Sequence, residues 1–477
     1  MNNPNILAER YSSEEIRDIF SNISRIKLER TFWVEIMKIQ QKMGVLIQDY
    51  VIEKYEKAIE NIDFNRITDI EMIRRHDIKA RIEAFNEAAK IESKEQHIHK
   101  GMTSRDLSDN IDQIQIKKAS EIIFNKLVHI LKSFLDKAEK YKEVIIVGRT
   151  HMQPAQPTTL GRRMAMFAEE LLHHLKGFEN FIEIYPFRGI KGPVSTQLDM
   201  INILGNENNV VEFERIIAKK FGFNNILISP GQIYPRSLDA ELIQRISLMC
   251  SSLQNFSNTI RLMAREELIT EGFQEGQVGS SSMPHKMNTR SSERIWSLSE
   301  LIKSYVDASS RISGSQWEEG DVSESAIRRI IIPDCFYAMD GICLTTLTIL
   351  NEMKIFPQVI DNELTKYIPF LATSEILTLA VQCGAGREES HEVIKKHAIN
   401  TINMIREGKI AQFSNELSKD LFFINLGIDE IKINEILKRR ELFLGRSKNQ
   451  IAEVSKKASY FFNKYPSLLN LNIKSIL

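Results

Sequence analysis

Apolar residues return at alternating steps of four and three along three long stretches of this chain. This spacing keeps one face of an α-helix apolar over many turns and is typical of helices packed in a bundle. The Met and Phe side chains within these stripes are therefore interpreted as core packing. The stripes are Leu242, Ile246, Met249, Leu253, Phe256, Ile260 and Met263; Met164, Phe167, Leu171, Leu175, Phe178 and Ile182; and Ile295, Leu298, Ile302, Tyr305 and Ile312.

Few helix breakers interrupt residues 111–368, so this part is predicted to form a central bundle of long helices. Residues 1–110 and 369–477 carry shorter patterns, which predict an N-terminal helical domain and a small C-terminal helical domain. The predicted fold is therefore all-α with three domains. Within the bundle, residues 183–240 are less regular, and we expect short strands or a hairpin there. Bundles with long apolar faces often self-associate, so a homo-oligomer is expected.

Near the N-terminus, Ser12 and Glu15 have the spacing of a capping box. This predicts a helix that begins just after Arg10 and Tyr11 and leaves that pair exposed at its N-terminus. A cation beside an aromatic ring at a helix start can grip a phosphate or a base. It can equally be a surface side chain lying on a ring.

Composition excludes several function classes. The 477 residues contain 63 Lys+Arg and 63 Asp+Glu, so no overall field attracts nucleic acid or an anionic membrane. No apolar run approaches a membrane span or a signal peptide, and we expect a cytoplasmic protein. The four cysteines show no CxxC spacing, which argues against a disulfide framework and a structural zinc site. The closely spaced histidine pairs do not share a helical face, so no metal site is expected.

Polar motifs interrupt the helical pattern at four places. Residues 275–294 contain two glycines and three consecutive serines before the string MPHKMN, and they predict a mobile polar loop. The turn GRTHMQPAQPTT holds His151 in a proline-stiffened loop, and Thr158 or Thr159 can cap the next helix. Upstream lie Arg75-His76-Asp77 and the segment IHKGMTSRD, in which Thr103 and Asp106 suit a helix N-cap and could receive an anion.

The strings GSSSMPHKMN, GRTHMQPAQPTT and IHKGMTSRD resemble, in the same order, the three signature regions of the fumarase/aspartase superfamily. Within it the chain resembles the adenylosuccinate lyases most closely. His285 stands where fumarase and aspartase usually have Gly, and the Arg10-Tyr11 pair, the 75–77 triplet and GQIYPR at 231–236 fit the same pattern. The resemblance covers residues 10 to 400.

This resemblance implies a homotetramer whose helical core is built from the central bundles, with each active site assembled from three chains. It implies β-elimination of fumarate from adenylosuccinate, giving AMP, and from the succinylated imidazole carboxamide ribotide of purine synthesis. No metal and no organic cofactor is implied.

By the same resemblance, Ser280 is the general base and His151 is the general acid. A serine base requires loop closure to remove water and nearby positive charge, such as Lys286, to favour the alkoxide. Lys286 and Asn288 are expected to hold carboxylate oxygens. The remaining positions that the resemblance assigns to substrate binding are Arg10, Tyr11, Arg75, His76, Asp77, His99, Thr103, Ser104, Gln232, Met287, Arg294, Ser325 and Arg329.

One departure concerns Gly320, where many adenylosuccinate lyases carry an arginine, so one anion contact is missing or supplied elsewhere. Two alternatives stay open. One is another reaction of the superfamily, such as argininosuccinate cleavage or carboxymuconate cycloisomerisation. The other is a catalytically silent structural protein on this scaffold, which the joint presence of Ser280, His151, Lys286 and Asn288 argues against.

Overall fold

The computed structural model describes residues 5–273, 282–283 and 285–471, and these form a mostly helical fold. The helices are α1 (Ile6–Tyr11), α2 (Glu14–Phe20), α3 (Asn22–Lys42), α4 (Asp49–Ala58), α5 (Phe64–Arg74), α6 (Asp77–Ala88), α7 (Ser104–Lys140), α8 (Leu160–Ile184), α9 (Leu198–Leu204), α10 (Glu207–Lys220), α11 (Ser237–Arg265), α12 (Arg290–Ile312), α13 (Ser325–Glu352), α14 (Pro357–Leu371), α15 (Thr373–Gln382), α16 (Arg387–Arg406), α17 (Phe413–Ser418), α18 (Leu421–Asn425), α19 (Glu430–Lys438) and α20 (Ser447–Lys464). The strands are β1 (Ile145–Thr150), β2 (Gln153–Thr159), β3 (Ile269–Thr270) and β4 (Lys354–Ile355).

The long helices α7, α8, α11, α12 and α13 form the central bundle. All the residues of the three apolar stripes are buried except Tyr305, which is half-buried, so the predicted seams are confirmed. Rings from three helices meet in the middle: Phe134 lies 6.0 Å from Phe167 and 5.0 Å from Phe256, measured between ring centres. Such tilted and edge-on ring pairs stabilise a core beyond the area that they bury.

The predicted position of the hairpin was wrong. An antiparallel hairpin lies at β1 and β2, with Ile145 opposite Thr159 and Thr150 opposite Gln153. Residues 183–240 instead form α9 and α10, with one isolated bridge between Phe187 and Ile226. The prolines of GRTHMQPAQPTT lie within β2, where a two-stranded ribbon tolerates them because each strand has a free edge.

The N-terminal segment also differs from its prediction. Arg10 and Tyr11 end α1, whose first turn is capped by the Asn5 side chain, so the pair does not lie at a helix start. The next helix begins at Glu14 with Ser13 as its N-cap residue. Ser12 does not cap it, because its hydroxyl donates to the buried carboxylate of Asp340, 3.2 Å away on α13.

The C-terminal part contains a second, smaller core built from α15–α19, which includes Ile376, Phe413 and Phe423. The last helix, α20, returns to the bundle, where Phe461 packs on Phe124 of α7 at 6.1 Å between ring centres. Boundaries at 110 and 368 would fall inside α7 and α14. The three-domain division itself stays a prediction.

Two stretches of the described chain, 325–352 and 357–382, are long and apolar enough to cross a membrane by length and composition alone. The expectation that no run approaches this length was therefore too strict. The first stretch is α13, whose most apolar window is 83% buried among the other bundle helices. Its apolar character is thus explained by its place in the core.

The close approach of α7 and α8 yields a test of the packing. A Cβ on Gly161 would overlap the carbonyl oxygen of Ala138 and lie 2.7 Å from Cα of Lys142. Because this obstruction is backbone, Gly161→Ala should lower the free energy of unfolding by about 1–3 kcal/mol in urea denaturation.

Gly177→Ala on the same helix is the matched control. Its nearest neighbour is a side-chain end, Nη1 of Arg245 at 3.0 Å, which also donates to the Gly177 carbonyl oxygen; the helix propensity of alanine offsets a shift of that group, so the net change should stay within about 1 kcal/mol. Equal stability of the two variants would contradict the close backbone approach at Gly161.

Candidate active site

A cavity of about 980 Å³ opens where the N-terminal helices meet the start of α7 and α13. Its described lining is basic, since six arginines and three carboxylates contribute to it. Four of these arginines are paired with carboxylates, so Arg75 and Arg329 are the described lining cations that are free to bind an anionic ligand. The predicted site residues in its lining are Arg75, His76, Asp77, Ser104, Ser325 and Arg329.

Three helices begin at this cavity, with Asp77, Ser104 and Ser325 as their first residues. The amide groups of a helix's first turn lack partners within the helix and carry partial positive charge, so they favour anions. Within the described residues, no side chain caps α13. The Ser325 N–H donates to the Val322 carbonyl oxygen at 3.0 Å, so the next two amides, of Ala326 and Ile327, are the ones that could meet a ligand in the cavity.

His76 is held between two of these helix starts. Its Nδ1 accepts from the backbone N–H of Lys79 at 3.4 Å, and its Nε2 lies 3.3 Å from the hydroxyl of Ser104. Both contacts form at once in the neutral tautomer that carries its proton on Nε2, in which Nδ1 accepts from Lys79 and Nε2 donates to Ser104. The ring is half-exposed, so it can bind a ligand as well as link α6 to α7.

Two cations extend into the cavity from different elements. Arg75 follows α5 in the left-handed backbone conformation, with φ of +52°. Arg329 is the fifth residue of α13, and its guanidinium is 4.0 Å from the carboxylate of Asp77. Three-quarters of the Arg329 side chain is exposed, which leaves its planar fork accessible to a carboxylate or phosphate.

A buried ion-pair network lies beneath this surface. Arg328 Nε donates to Asp239 at 2.6 Å, its Nη1 lies 3.2 Å from Asp112, and its other nitrogen donates to the Tyr234 hydroxyl. Burial works to raise the pKa of Asp112, but the guanidinium groups of Arg25 and Arg328 outweigh it and hold that pKa below its usual range. The carboxylate therefore stays charged beside the cavity.

A second pair fixes the start of α13. Arg236 lies 2.9 Å from the carboxylate of Glu324, the residue directly before Ser325, and 3.2 Å from Asp109 of α7. These groups are buried, so each charge depends on the other for compensation. The network thus sets where Ser325 and Arg329 stand.

Thr103 and His99 lie just before α7 but do not line the cavity. The Thr103 N–H donates to Asp106 at 2.7 Å, which confirms the predicted N-cap, while its buried hydroxyl has no partner among the described residues. His99 has a left-handed backbone, with φ of +64°, and its Nδ1 accepts from Trp33 Nε1 at 3.1 Å. Burial lowers the pKa of His99 to about 4, so the ring is neutral at neutral pH.

Arg10, Tyr11 and Arg294 belong to a separate cluster. The Arg294 guanidinium lies 5.6 Å from the centre of the Tyr11 ring, on the first turn of α12. Tyr11 packs closely on Gly341, where a Cβ would lie 2.9 Å from the Tyr11 carbonyl oxygen. Within the described chain, no hydrogen bond or ion pair joins this cluster to residues that line the cavity.

His151 stands apart from both clusters. It lies at the tip of the β1–β2 hairpin, where it is exposed, and it does not line the cavity. Ser280 lies outside the described residues. Lys286, Met287 and Asn288 come just before α12, and the first two are exposed.

Gln232 and Gly320 come together on two neighbouring segments. The Gln232 N–H donates to the carbonyl oxygen of Glu319. Gly320 has φ of +134°, and a Cβ there would lie 3.0 Å from Cγ1 of Ile233. An arginine at this position would be strained, so the backbone itself accounts for the glycine.

A family model described as "Lyase" matches residues 15–302. The chain belongs to this lyase family. Adenylosuccinate lyases are homologues: that of Schistosoma mansoni is 33% identical over 428 residues, covering 88% of each chain. The adenylosuccinate lyase of Saccharomyces cerevisiae is 31% identical over 460 residues, covering 94% of this chain and 93% of the relative.

Two solved structures confirm the fold of this lyase. The 3-carboxy-cis,cis-muconate lactonizing enzyme of Pseudomonas putida gives a TM-score of 0.83 at 18% identity, covering 96% of this chain and all of that one. The fumarate lyase of Mesorhizobium sp. BNC1 gives 0.78 at 17% identity, covering 94% and 98%. At such identities the likeness concerns the fold alone.

Sequence reasoning about the lyase missed the ion-pair network. Its signal was present as a polar stripe at helical spacing on α7, formed by Asp106, Asp109, Asn110 and Gln113, all of which are buried. Polar residues at i, i+3, i+4 and i+7 share one helical face. Such a face within a core helix indicates buried polar partners, although it does not identify them.

The buried imidazole of His99 makes the stability of the lyase depend on pH. An unfolded histidine titrates near 6.5, whereas burial lowers the pKa of His99 to about 4. Between these values the unfolded chain binds more protons, so this contribution to stability is complete above pH 6.5 and is lost as the pH falls towards 4. His99→Asn should therefore flatten the slope of unfolding free energy against pH by up to about 1.4 kcal/mol per pH unit.

Asparagine is chosen because it tolerates the left-handed backbone at this position. The control is His391→Asn, an exposed histidine on α16. Urea unfolding between pH 4 and 7 measures the slopes. Equal slopes for the wild type and His99→Asn would show that His99 does not stay neutral in the folded lyase.

Proposed function

We propose that this lyase is an adenylosuccinate lyase, which eliminates fumarate from adenylosuccinate to give AMP and from the succinylated imidazole carboxamide ribotide. The observation that carries the proposal is the basic cavity at three helix starts. The substrates carry two carboxylates and a phosphate, which need cations and N–H donors of this kind. The names of the homologues support the same substrate class.

The reaction requires charge stabilisation as well as proton transfer. A proton beside a carboxylate is weakly acidic, so the carbanion must be stabilised by donors aimed at the succinyl oxygens. In our proposal Ser325, Arg329 and the first amides of α13 hold one anionic group. His76 and Ser104, which already share a hydrogen-bonding distance, contact another.

His151 is proposed as the acid that protonates the departing nitrogen, and Ser280 as the base that removes the proton from carbon. The exposed position of His151 supports a role on a neighbouring chain, because within one chain it lies outside the cavity. His99, whose neutral ring accepts a hydrogen bond from Trp33, is proposed to contribute with Thr103 to substrate binding.

The proposed site is therefore shared between copies of the chain, in a homotetramer. Large apolar side chains exposed along the bundle helices support self-association, since soluble proteins rarely leave such faces open to water. These side chains are Met166, Leu248, Leu262, Trp296, Ile327 and Ile330. We place this assembly in the cytoplasm, where nucleotide substrates are made.

The purified protein should bleach the ultraviolet difference band of adenylosuccinate and release an equimolar amount of fumarate. His151→Ala should remove most of this activity while the helical circular dichroism stays unchanged, because general acid catalysis contributes roughly 10²–10⁴-fold. Coupled detection of fumarate gives the stoichiometry. Release of fumarate from argininosuccinate but not from adenylosuccinate would overturn the assignment.

Mixing inactive His151→Ala and Ser280→Ala proteins tests whether sites are shared. Hybrid assemblies contain sites in which both residues are intact, so activity should return after mild dissociation and reassociation. The control is each variant treated alone. Absence of any recovery, with hybrids confirmed by mass, would argue that each chain carries a complete site.

A further inference from the structure

The β1–β2 hairpin that carries His151 rests on a helix of the C-terminal part. Val147 on β1 is buried in a small apolar cluster with Leu364, Ile368 and Leu371 of α14. This cluster is separate from the main core, so the hairpin is not simply an extension of the bundle. Its upper part depends on α14 for burial.

A partly buried salt bridge strengthens this contact close to the tip. The Arg149 guanidinium, two residues before His151, pairs with the carboxylate of Glu363 on α14. It also lies 5.7 Å from the centre of the Tyr367 ring on the same helix. About one-tenth of the Glu363 side chain is exposed, and its second oxygen has no partner among the described residues. The Glu363 carboxylate is therefore largely shielded from solvent, and the pair should be more rigid than a fully exposed ion pair.

The tip itself offers little support to the imidazole. His151 and Met152 form a two-residue turn with φ of +50° and +63°, between the paired residues Thr150 and Gln153. Positive φ at both central residues is typical of a type I′ turn, which matches the twist of the strands. In the described part of the chain, no hydrogen bond or ion pair holds the His151 side chain. Its position is thus set by the backbone of the hairpin.

The base of the hairpin is fixed independently by the bundle. The N–H of Leu160 donates to Val144 at 2.8 Å, and that of Gly161 donates to Tyr141 at 2.9 Å. Arg163 of α8 donates to the Val147 carbonyl oxygen at 3.3 Å. Because α7 and α8 hold the base of the hairpin, the motion that remains is a swing of its tip. Among the described elements, α14 contacts both strands and opposes that swing, and the short 3₁₀ helix Arg440–Leu444 adds contacts to β2.

We propose that Glu363 is a positioning residue for His151, acting through Arg149 to hold the hairpin at one angle on α14. The inference rests on the proposed function, in which His151 delivers the proton to the leaving nitrogen. In this role α14, in the C-terminal part, supports the hairpin that carries the general acid. A displacement of about 1 Å at a reacting group can lower a rate roughly 100-fold, so such support has catalytic value.

Glu363→Gln removes the charge at nearly constant volume and should let the hairpin swing. In the full-length enzyme, kcat for fumarate release should fall roughly 10- to 100-fold while KM changes less than about twofold, because the cavity that binds substrate is untouched. Asp361→Asn is the matched control, since Asp361 lies on the same helix and pairs with Arg440 instead. It should keep wild-type kcat.

A spin label at the hairpin tip measures the position directly, without reliance on activity. Met152→Cys in a Cys383→Ser background gives one accessible thiol among the described cysteines, because Cys250, Cys335 and Cys343 are buried. The electron paramagnetic resonance spectrum should show greater label mobility when Glu363→Gln is added and no change when Asp361→Asn is added. Kinetics are measured on the unlabelled variants.

The outcomes separate the two proposals. Unchanged label mobility in Glu363→Gln overturns the positioning role, and so does greater mobility with wild-type kcat in an active enzyme. An equal loss of kcat in Asp361→Asn also overturns it, since that would indicate a general effect of altering α14. Failure of the wild type to release fumarate overturns the proposed function, while the label still shows whether Glu363 holds the hairpin.

Discussion

The buried guanidinium of Arg328 is the group on which the geometry of the cavity depends. It bonds to Asp239 on α11, to Asp112 on α7 and to Tyr234, and so ties α13 to two other long helices. A buried cation persists only when its partners compensate for lost hydration. Because Arg329 directly follows Arg328, the bonds that neutralise one arginine also fix where the other meets the cavity.

The described residues that carry the chemistry fall into separate groups within one chain. The cavity collects Arg75, His76, Ser104 and Arg329, whereas Tyr11 with Arg294 and the His151 hairpin lie elsewhere. The ion-pair network supports the cavity residues, the bundle helices α12 and α13 support Tyr11 and Arg294, and α14 supports the His151 hairpin. This separation is the physical reason why the proposed activity calls for several copies of the chain.

Much of the scaffold could be predicted because helical periodicity is a local signal. The seam through Leu253 and Phe256 was correct, and so was the N-cap at Thr103. The hairpin was missed because Pro154 and Pro157 argue against a strand, and only the pairing partner shows that both edges are free. Arg10 was predicted at a helix start because Ser12 was expected to cap that helix. The Ser12 hydroxyl instead donates to Asp340, a partner 328 residues away.

The site was predictable to the extent that its motifs were contiguous. Arg75-His76-Asp77 and Ser104 were found as strings, and the structure brings them together at one cavity. Asp239 and Glu324 were not found, and Arg236 was noted only as part of the GQIYPR string, since the role of each depends on a buried partner on another element. The requirement for glycine at position 320 likewise rests on its backbone angle and on nearby Ile233, which no local pattern reveals.

In the proposed site, the start of α13 binds an anionic group of a nucleotide through Arg329. Calorimetric titration of AMP into Arg329→Gln and Arg311→Gln proteins tests it, because the two arginines have nearly equal side-chain exposure, 75% and 76%. Loss of a charge-assisted bond should weaken AMP binding roughly tenfold or more in Arg329→Gln only. Equal affinity of the two variants would contradict the claim.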